Sequence, residues 1–270
     1  MWISEVKESK EGAEVSFRGI VLRQKDGYRY KVFDRSGEIW IDSEFPLREG
    51  GAYEFVGRYK GGVVVVERAE ELEEIDVKYF LPFAENPERD ERRFWGVVER
   101  ISDPRLREFV RFVFEPIWDE FKRGVAAKRY HHAYIGGLLE HTATVGEIVV
   151  RILPLYADYG INPDLVILGA LFHDVGKAWE LKTFPKFEYH EKYGKWGHIF
   201  IGANLIKEKG REFGLPEETL TDLVHIILAH HGEYGKGSPV SPRIPEALLV
   251  HLADNLDAQM NHVLKDESKD

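Results

Sequence analysis

The hydrophobic pattern of the chain changes its period near residue 80, which divides the sequence into two parts of different fold class. Before this point, short segments rich in Val, Ile, Tyr and Phe alternate apolar with polar residues and are separated by Gly-containing breaks. This pattern predicts β-strands joined by turns. The five segments are VSFRGIVL, YRYKVFD, GEIWID, AYEFVGRY and VVVVERA. Five short strands within residues 1–80 favour a small all-β barrel of the OB type over an open sheet.

The sequence after residue 80 has the pattern of helices. Residues 81–96 include PFAENPERDERRF, whose two prolines and dense charge are typical of a linker. From residue 97 to residue 270, apolar residues recur three and four positions apart, and Pro104, Pro163, Pro216 and Pro245 stand at plausible first helical positions. The sequence therefore predicts two domains, with an all-α domain following the barrel.

Composition limits the chemistry that is available to this chain. Cysteine is absent from the 270 residues, so disulfides, thiol catalysis and Cys-based zinc sites are excluded. The formal net charge of −10 argues against a protein that coats duplex nucleic acid by bulk electrostatics. Neither a membrane span nor a signal peptide is recognisable, so we expect a cytoplasmic protein without a membrane partner. The abundance of Lys, Arg and Glu favours a heat-adapted source.

His141 lies on the apolar face of one predicted helix. In GGLLEHTATVGEIVVRIL, the spacing of three and four places it with Leu138, Val145 and Ile148, so its side chain points towards the core. Taken alone, a neutral histidine that is hydrogen-bonded to a buried carbonyl is the simpler interpretation.

The segment PDLVILGALFHDVGKAWEL is apolar almost all round, which predicts a helix at the centre of its domain. His173 and Asp174 are adjacent in its C-terminal half and Lys177 follows. Burying a carboxylate costs roughly several kcal/mol of folding free energy unless a positive charge compensates it. Either a divalent cation or an ion pair with Lys177 would provide that charge.

Three further predicted helices carry histidine or aspartate on apolar faces. The residues are His198, the pair His230-His231, and Asp254 with Asp257 one turn later. Each has an ordinary explanation, such as a favourable helix dipole or an ion pair. Because five helices share the feature, the sequence predicts a site in which imidazole and carboxylate hold a divalent ion. Two ions bridged by one aspartate would match the arrangement used for phosphoester hydrolysis.

The order His141, His173-Asp174, Asp254 resembles the H…HD…D signature of the HD-domain superfamily of metal-dependent phosphohydrolases. The stretches HHAYIGGLLEHT at 131–142, HHG at 230–232, GSPV at 237–240 and HLADNLDAQMN at 251–261 are similar to YhaM-type 3′→5′ exoribonucleases, which carry an OB-fold before the HD domain. The resemblance is strong over residues 125–261 and mainly architectural over the first 80. It implies an HD-domain helical bundle over residues 97–270.

The resemblance also implies roles for individual residues. His141, His173, Asp174 and Asp254 would hold one ion, and Asp174 would share a second ion with His198 and His230. His231 would be a further ligand or a phosphate-facing donor, and Lys177 would neutralise phosphate. Further candidates are His131, His132 and Ser238 for substrate, and Glu140 and Asp257 for orienting the metal-binding histidines. Mn, Mg, Co, Ni, Fe and Zn all suit such ligands.

The expected reaction is phosphodiester hydrolysis, because metal coordination lowers the pKa of water to about 7 and provides hydroxide at neutral pH. The expected partner is single-stranded nucleic acid, RNA before DNA, which the barrel would bind through base stacking. The barrel aromatic residues proposed for stacking are Tyr28, Tyr30, Trp40, Tyr53 and Tyr59. Two alternatives stay open: a hydrolase of small or cyclic nucleotides with a structural barrel, and a non-catalytic binding module with a structural ion. Homo-oligomer formation also stays open.

Overall fold

The computed structural model of the protein describes residues 1–266. The chain separates into two compact units. The first contains residues Met1–Pro82 with Phe184–Lys186, and the second contains the rest of the chain. No helix in the described part of the chain is long and apolar enough to cross a membrane.

The first unit is a closed five-stranded barrel with the strand order β1-β2-β3-β5-β4. The strands are β1 Glu14–Gln24, β2 Arg29–Asp34, β3 Gly37–Asp42, β4 Ala52–Lys60 and β5 Val63–Glu71. All neighbouring pairs are antiparallel except β3 and β5, which pair in parallel, and β1 closes the barrel against β4. The predicted all-β domain is confirmed, and each predicted strand segment overlaps one observed strand.

The barrel is filled by alternating residues of all five strands, with Phe17, Val32, Ile39, Phe55 and Val64 buried. Two short helices, α1 Ile3–Lys7 and α2 Val77–Phe80, flank the strands in the chain. The first was not predicted from the sequence, because one helical turn has too few residues to show a period.

Two of the aromatic residues proposed for base stacking belong to the barrel interior instead. Tyr30 is 1% exposed, and its hydroxyl accepts a hydrogen bond from the amide of Leu47. Tyr53 is also buried, and its hydroxyl accepts from the amide of Arg48. A buried ring cannot stack with a base, so the stacking hypothesis is wrong for these two residues.

The second unit is helical, with one short hairpin formed by β6 Leu181–Lys182 and β7 Glu188–Tyr189. Its helices are α3 Pro87–Val98, α4 Pro104–Phe114, α5 Trp118–Arg123, α6 Gly137–Ile152, α7 Pro163–Phe172, α8 Lys177–Glu180, α9 His198–Phe213, α10 Glu217–Ala229 and α11 Pro245–Asp266. Helices α4 and α7 begin with a proline, and the preceding residues, Asp103 and Asn162, cap them. The side chain of each cap accepts a hydrogen bond from a main-chain amide in the first turn of its helix.

Most of the segment expected to be a linker is the helix α3. Most of its charged residues are exposed or half-buried, Asp90 is buried and pairs with Arg89 and Arg93, and Phe94, Val97 and Val98 are buried in the helical core. The dense charge of PERDERR makes this apolar face hard to recognise in the sequence, because the three buried apolar residues follow the charged run and do not alternate with it.

Helix α7 lies at the centre of the second unit, as its composition predicts. Every residue from Asp164 to Phe172 is buried. The helix ends at Phe172, so the residues from His173 to Gly176 form a turn between α7 and α8. The sequence had placed the His-Asp pair within the helix.

Candidate metal centre

The first group of metal-ligand atoms surrounds the Nε2 atom of His141 in α6. This atom lies 3.1 Å from Oδ1 of Asp254, 3.2 Å from Nε2 of His173 and 3.4 Å from Oδ2 of Asp174. Nε2 of His173 lies 3.4 Å from the same Asp174 oxygen. Ligand atoms bound to one divalent ion at roughly 2.1 Å stand roughly 3–3.5 Å apart. His141, His173 and Asp174 therefore have the spacing of ligands to one ion, and Asp254, whose Oδ1 lies 3.9 Å from Nε2 of His173, stands beside them.

A second group meets the other oxygen of Asp174. Its Oδ1 lies 3.5 Å from Nε2 of His230 and 3.6 Å from Nε2 of His198. Ligand atoms of these three residues and of His231 all lie within 4.8 Å of one another. The two oxygens of one carboxylate thus face two separate sets of histidines.

Each of the four central histidines has a hydrogen-bond acceptor at its Nδ1 atom. The acceptors are Oδ2 of Asp257 for His141 at 2.6 Å, the carbonyl of Ala170 for His173 at 2.8 Å, Oε2 of Glu180 for His198 at 3.0 Å and the carbonyl of Ile227 for His230 at 2.7 Å. An acceptor at Nδ1 keeps the proton there and leaves the Nε2 lone pair facing inward. The four rings are therefore held in the tautomer that binds a metal.

Three atoms at the centre of the second group lack a hydrogen-bond partner among residues 1–266. They are Oδ1 of Asp174 and the Nε2 atoms of His198 and His230, and all three are buried. Buried polar atoms without partners are destabilising by about 1–3 kcal/mol each. Since these are lone-pair donors that converge, a cation satisfies them together. The residues present fit a divalent metal.

The charges of the site perturb several pKa values. Burial lowers the pKa of His141, but hydrogen bonds to Asp174, Asp254 and Asp257 outweigh it and raise that pKa well above its usual value. Burial lowers the pKa of His198, and the nearby Lys177 ammonium adds to this effect. A proton therefore competes with a metal ion at His141.

Glycine at position 176 allows the turn after α7 to meet the first turn of α9. A Cβ atom at Gly176 would overlap the main-chain carbonyl oxygen of His198 and would lie 2.8 Å from the amide nitrogen of Gly202. This close approach brings Asp174 and His198 to the same point. The glycine of HDVGK is thus required by main-chain packing.

Gly232 terminates α10 directly after the paired histidines. Its φ is +85°, a conformation that glycine adopts without strain, and a Cβ atom there would lie 2.5 Å from the ring of His251. Nδ1 of that ring lies 2.7 Å from the carbonyl oxygen of His230. The contact holds the end of α10 in place beside the site.

The remaining candidate residues have different surroundings. The two histidines proposed for substrate, His131 and His132, lie close to His141, since ligand atoms of all three lie within 4.8 Å of one another. Burial, with the neighbouring His141, lowers the pKa of His131 to about 3, so this ring is neutral at pH 7. Ser238 is buried, and its hydroxyl has no hydrogen-bond partner within the described chain.

The two residues proposed to orient ligands differ in outcome. The structure places Asp257 at His141, as described above, whereas Glu140 accepts a hydrogen bond of 2.7 Å from the hydroxyl of Tyr134. Glu140 and His141 are adjacent in α6, so their side chains point about 100° apart around the helix. The Glu140 carboxylate therefore cannot orient the ring of His141.

Sequence reasoning missed two residues that support the site. Glu180 holds His198, although the β6–β7 hairpin separates them in the chain. Asn261 accepts from the amide of His132, and its side-chain nitrogen lies 3.1 Å from Nε2 of the same residue. Asn261 is on the α11 face of Asp254 and Asp257 by helical spacing, which is the signal that could have found it.

Comparison with known families agrees with the geometry. Residues 138–259 match the HD domain family, and this range contains all seven residues of the two groups. The chain contains an HD domain. Over 254 residues it is also 28% identical to the 3′-5′ exoribonuclease YhaM of Geobacillus sp. (strain WCH70), and this match covers 92% of the chain and 77% of the relative. Both matches support a metal-dependent phosphohydrolase with an HD domain, similar to YhaM.

Two solved structures also match, over 29% of this chain. They are the Stn1-Ten1 complex and the telomere capping protein Ten1 of S. pombe, with sequence identities of 20% and 19% and a TM-score of 0.26 each. The matches cover 79% and 84% of those chains.

Proposed function

We propose that this HD domain is a two-metal 3′→5′ exonuclease that acts on single-stranded nucleic acid, with RNA preferred to DNA. The observation that carries the proposal is the position of Asp174. Its Oδ2 faces His141 and His173, while its Oδ1 faces His198 and His230. A carboxylate placed in this way would hold two ions, and a pair of ions would supply the charge that stabilises the attacking and leaving oxygens of a phosphodiester.

The proposed ligands divide into two sets that share Asp174. His141, His173 and Asp254 complete the first set, and His198 and His230 complete the second. Ions held there would supply Lewis acidity and would lower the pKa of water. Mn, Mg, Co, Ni, Fe and Zn remain candidates, because a mixed imidazole and carboxylate site accepts each of them.

Lys177 is the proposed phosphate-neutralising group. Its Nζ lies 2.6 Å from Oδ2 of Asp174. Burial lowers the pKa of Lys177, but the charges of Asp174, Asp254 and Glu180 and the hydrogen bond to Asp174 together outweigh burial and raise it, so the side chain is a cation at neutral pH. A fixed cation at this position opposes the negative charge that develops on the non-bridging oxygens of the phosphate.

His231 is proposed as a further ligand. Burial lowers its pKa to about 3, with His230 and His198 contributing in the same direction. A ring that is neutral at pH 7 is a ligand or a neutral hydrogen-bond donor, and it cannot act as an imidazolium acid. Its position within 4.8 Å of Asp174, His198 and His230 favours the ligand.

The choice of polymer rests on the relative and on the barrel. The YhaM relative is named a 3′-5′ exoribonuclease, from which we take the RNA substrate and the polarity. In the barrel, the half-buried ring of Trp40 has Lys31, Arg23 and Lys25 at 4.8, 5.8 and 5.9 Å from its centroid. An aromatic ring surrounded by cations can bind a single strand through stacking and through its phosphates.

The test uses single-stranded RNA and DNA labelled at the 5′ end, incubated with the full-length protein and each divalent ion in turn. We expect a ladder that shortens from the 3′ end in single nucleotides, no product with EDTA, and no cleavage of circular RNA. In Asp174→Asn the ladder should disappear, while the control Asp119→Asn, altered at a side chain that is 82% exposed, should retain it.

Three results would contradict parts of the proposal. Cleavage of circular RNA would show an endonuclease. Hydrolysis of nucleotides without any action on strands would indicate a small-molecule hydrolase with a structural barrel. Strand binding without product under every metal would indicate a non-catalytic module.

A further inference from the structure

A cavity lined by arginine side chains lies between helices α3 and α6 of the second unit. Its volume is about 430 Å³, within the range of roughly 300–1,000 Å³ that is typical of small-molecule sites. Three of its arginines come from α3, one from the residues just after α3 and one from α6. They are Arg89, Arg92, Arg93, Arg100 and Arg151. We call this cavity with its five arginines the arginine groove.

Neighbouring carboxylates compensate only two of these five positive charges. Arg93 donates to both oxygens of Glu147, at 3.1 Å each. Arg89 lies 3.1 Å from Oδ1 of the buried Asp90. Within residues 1–266, three guanidinium groups of the groove have neither a hydrogen bond nor an ion pair, and they belong to Arg92, Arg100 and Arg151. Three positive charges are therefore left uncompensated, in a chain whose net charge is −10.

The arginine groove also has an apolar and open part. Val97 and Val150 line it together with Gly96. The two helices are in close contact at Val97, because a Cβ atom on Gly146 of α6 would lie 2.8 Å from Cγ1 of Val97. At Gly96, in contrast, an added Cβ atom would meet no atom within 4 Å outside its own stretch of helix, as far as residues 1–266 are concerned. The groove therefore has unfilled space directly over Gly96.

Neither packing nor backbone conformation within the chain requires glycine at position 96. Glycine is less favourable than alanine inside a helix, and Gly96 is not among the glycines with a positive φ. A ligand that enters the groove would use the space that the missing side chain leaves. Guanidinium groups bind phosphate through paired hydrogen bonds and stack on flat rings. The arginine groove therefore suits a ligand with phosphate groups and a flat, partly apolar ring.

The arginine groove is separate from the metal centre. Val150 follows His141 by nine residues in α6, which is about two and a half helical turns, so the two side chains point to opposite sides of the helix. Nε2 of His141 faces the metal centre, whereas Val150 lines the groove. A molecule in the groove is therefore not in contact with the proposed ligands.

We propose that the arginine groove binds a nucleoside diphosphate, with its phosphate groups on Arg92, Arg100 and Arg151 and its base over Gly96. Three uncompensated guanidinium groups suit the charge of a diphosphate, and the volume of the groove suits a single nucleotide. The apolar floor explains why the ligand carries a base as well as phosphate. This binding goes beyond the proposed function and does not depend on it, because no residue of the groove is a proposed metal ligand.

The test is isothermal titration calorimetry of the metal-loaded, full-length protein with adenosine 5′-(α,β-methylene)diphosphate, whose phosphorus–carbon bonds resist hydrolysis. Methylenediphosphonate, which has the same phosphonate groups but no nucleoside, is titrated in parallel. We expect saturable binding of the nucleotide and weaker binding of methylenediphosphonate. Ions at the proposed metal centre also attract diphosphates, so variants are needed to assign the binding to the groove.

Two variants change the groove in different ways. Gly96→Leu fills the space over the floor without changing any charge, and Arg151→Ala removes one uncompensated guanidinium group. Each should weaken nucleotide binding about tenfold or more, as expected for the loss of a hydrogen bond to a charged group. The matched control is Arg123→Ala, which removes an exposed arginine of the same unit outside the groove and should bind as the wild type does. Thermal melting of each variant excludes unfolding as the cause, and leucine is a better helix former than glycine.

Four results would overturn the inference. Wild-type affinity in both Gly96→Leu and Arg151→Ala would mean that the nucleotide binds elsewhere. An equal loss in Arg123→Ala would show an effect of overall charge. Methylenediphosphonate that binds as tightly as the nucleotide would remove the role of the floor. Circular single-stranded RNA whose binding is lost in the two groove variants, without any binding of the nucleotide, would assign the groove to a strand. Failure of the protein to digest RNA would contradict the proposed function alone and would leave this site in place.

Discussion

Replacing Asp257 should weaken metal binding without removing a proposed ligand. Its Oδ2 accepts a hydrogen bond from Nδ1 of His141 at 2.6 Å, and both side chains are buried, with His141 at 0% and Asp257 at 9% exposure. The short distance and the low exposure indicate a charge-assisted hydrogen bond. In Asp257→Asn, the amide oxygen can still accept this proton, but the negative charge that makes the ring a stronger ligand is lost.

Changes to such supporting residues typically weaken metal affinity 10- to 100-fold, which corresponds to about 1.4–2.7 kcal/mol. We therefore expect the dissociation constant for Mn²⁺ at one of the two sites to rise by about this factor in Asp257→Asn. Asp257→Ala should have a larger effect, because it leaves the Nδ1 proton of His141 in the core without this acceptor.

The assay is competition for Mn²⁺ between the protein and a fluorescent chelator at fixed pH, with the number of tightly bound ions counted by mass spectrometry. Asp119→Asn is the control, since this exposed carboxylate pairs only at the surface with Lys122. Wild-type Mn²⁺ affinity in both Asp257 variants would refute the reasoning, because it would mean that the hydrogen bond at Nδ1 does not tune the ring.

Three further predictions follow from the site. Gly176→Ala should lower the free energy of unfolding by about 2 kcal/mol or more, because the added Cβ would overlap the His198 carbonyl and only main-chain movement can relieve this. Thermal melting should show a lower Tm, and an unchanged Tm would mean that the turn has room for the methyl group. Lys177→Met should lower kcat about 10²- to 10³-fold at saturating metal with the bound metal count unchanged, whereas a rise in KM alone would assign Lys177 to binding. The pKa of His141 is raised, so below this pKa a proton must leave the ring before an ion binds. The affinity for Mn²⁺ should therefore increase about tenfold per pH unit as pH rises and then level off above that pKa. An affinity that is independent of pH between 5.5 and 8 would contradict this competition.

Much of the fold could be predicted from the sequence, because both periods are local properties of the chain. The strand β3 occupies the same residues, Gly37–Asp42, as the predicted segment GEIWID. A barrel was predicted, but its strand order could not be, since the parallel pairing of β3 with β5 depends on contacts that alternation does not encode. Helix α3 was missed because its charged run was interpreted as a linker.

Part of the candidate site could also be predicted from local properties of the sequence. His141 and Asp254 occupy apolar helix faces, and the spacing of residues along a helix shows this directly. The hydrogen-bond acceptors of the histidine rings were harder to predict from the sequence. Two of them are the main-chain carbonyls of Ala170 and Ile227, and any residue type has such a carbonyl. Glu180 reaches His198 only because a hairpin folds back between them.

The distribution of the proposed ligands along the chain has a topological consequence. The side chains come from α6, the turn after α7, α9, the end of α10 and α11, and 32 residues separate His141 from His173 alone. Ions held at these points would fasten distant parts of the chain to one another, as disulfides do in secreted domains, in a sequence that has no cysteine. Because such cross-links bind only the folded chain, each ion adds a stabilisation that grows with the logarithm of its free concentration. The stability of the helical unit would then depend on the metal supply, as its chemistry does. Metal depletion alone, without any mutation, would raise the unfolded fraction and with it the rate of proteolysis.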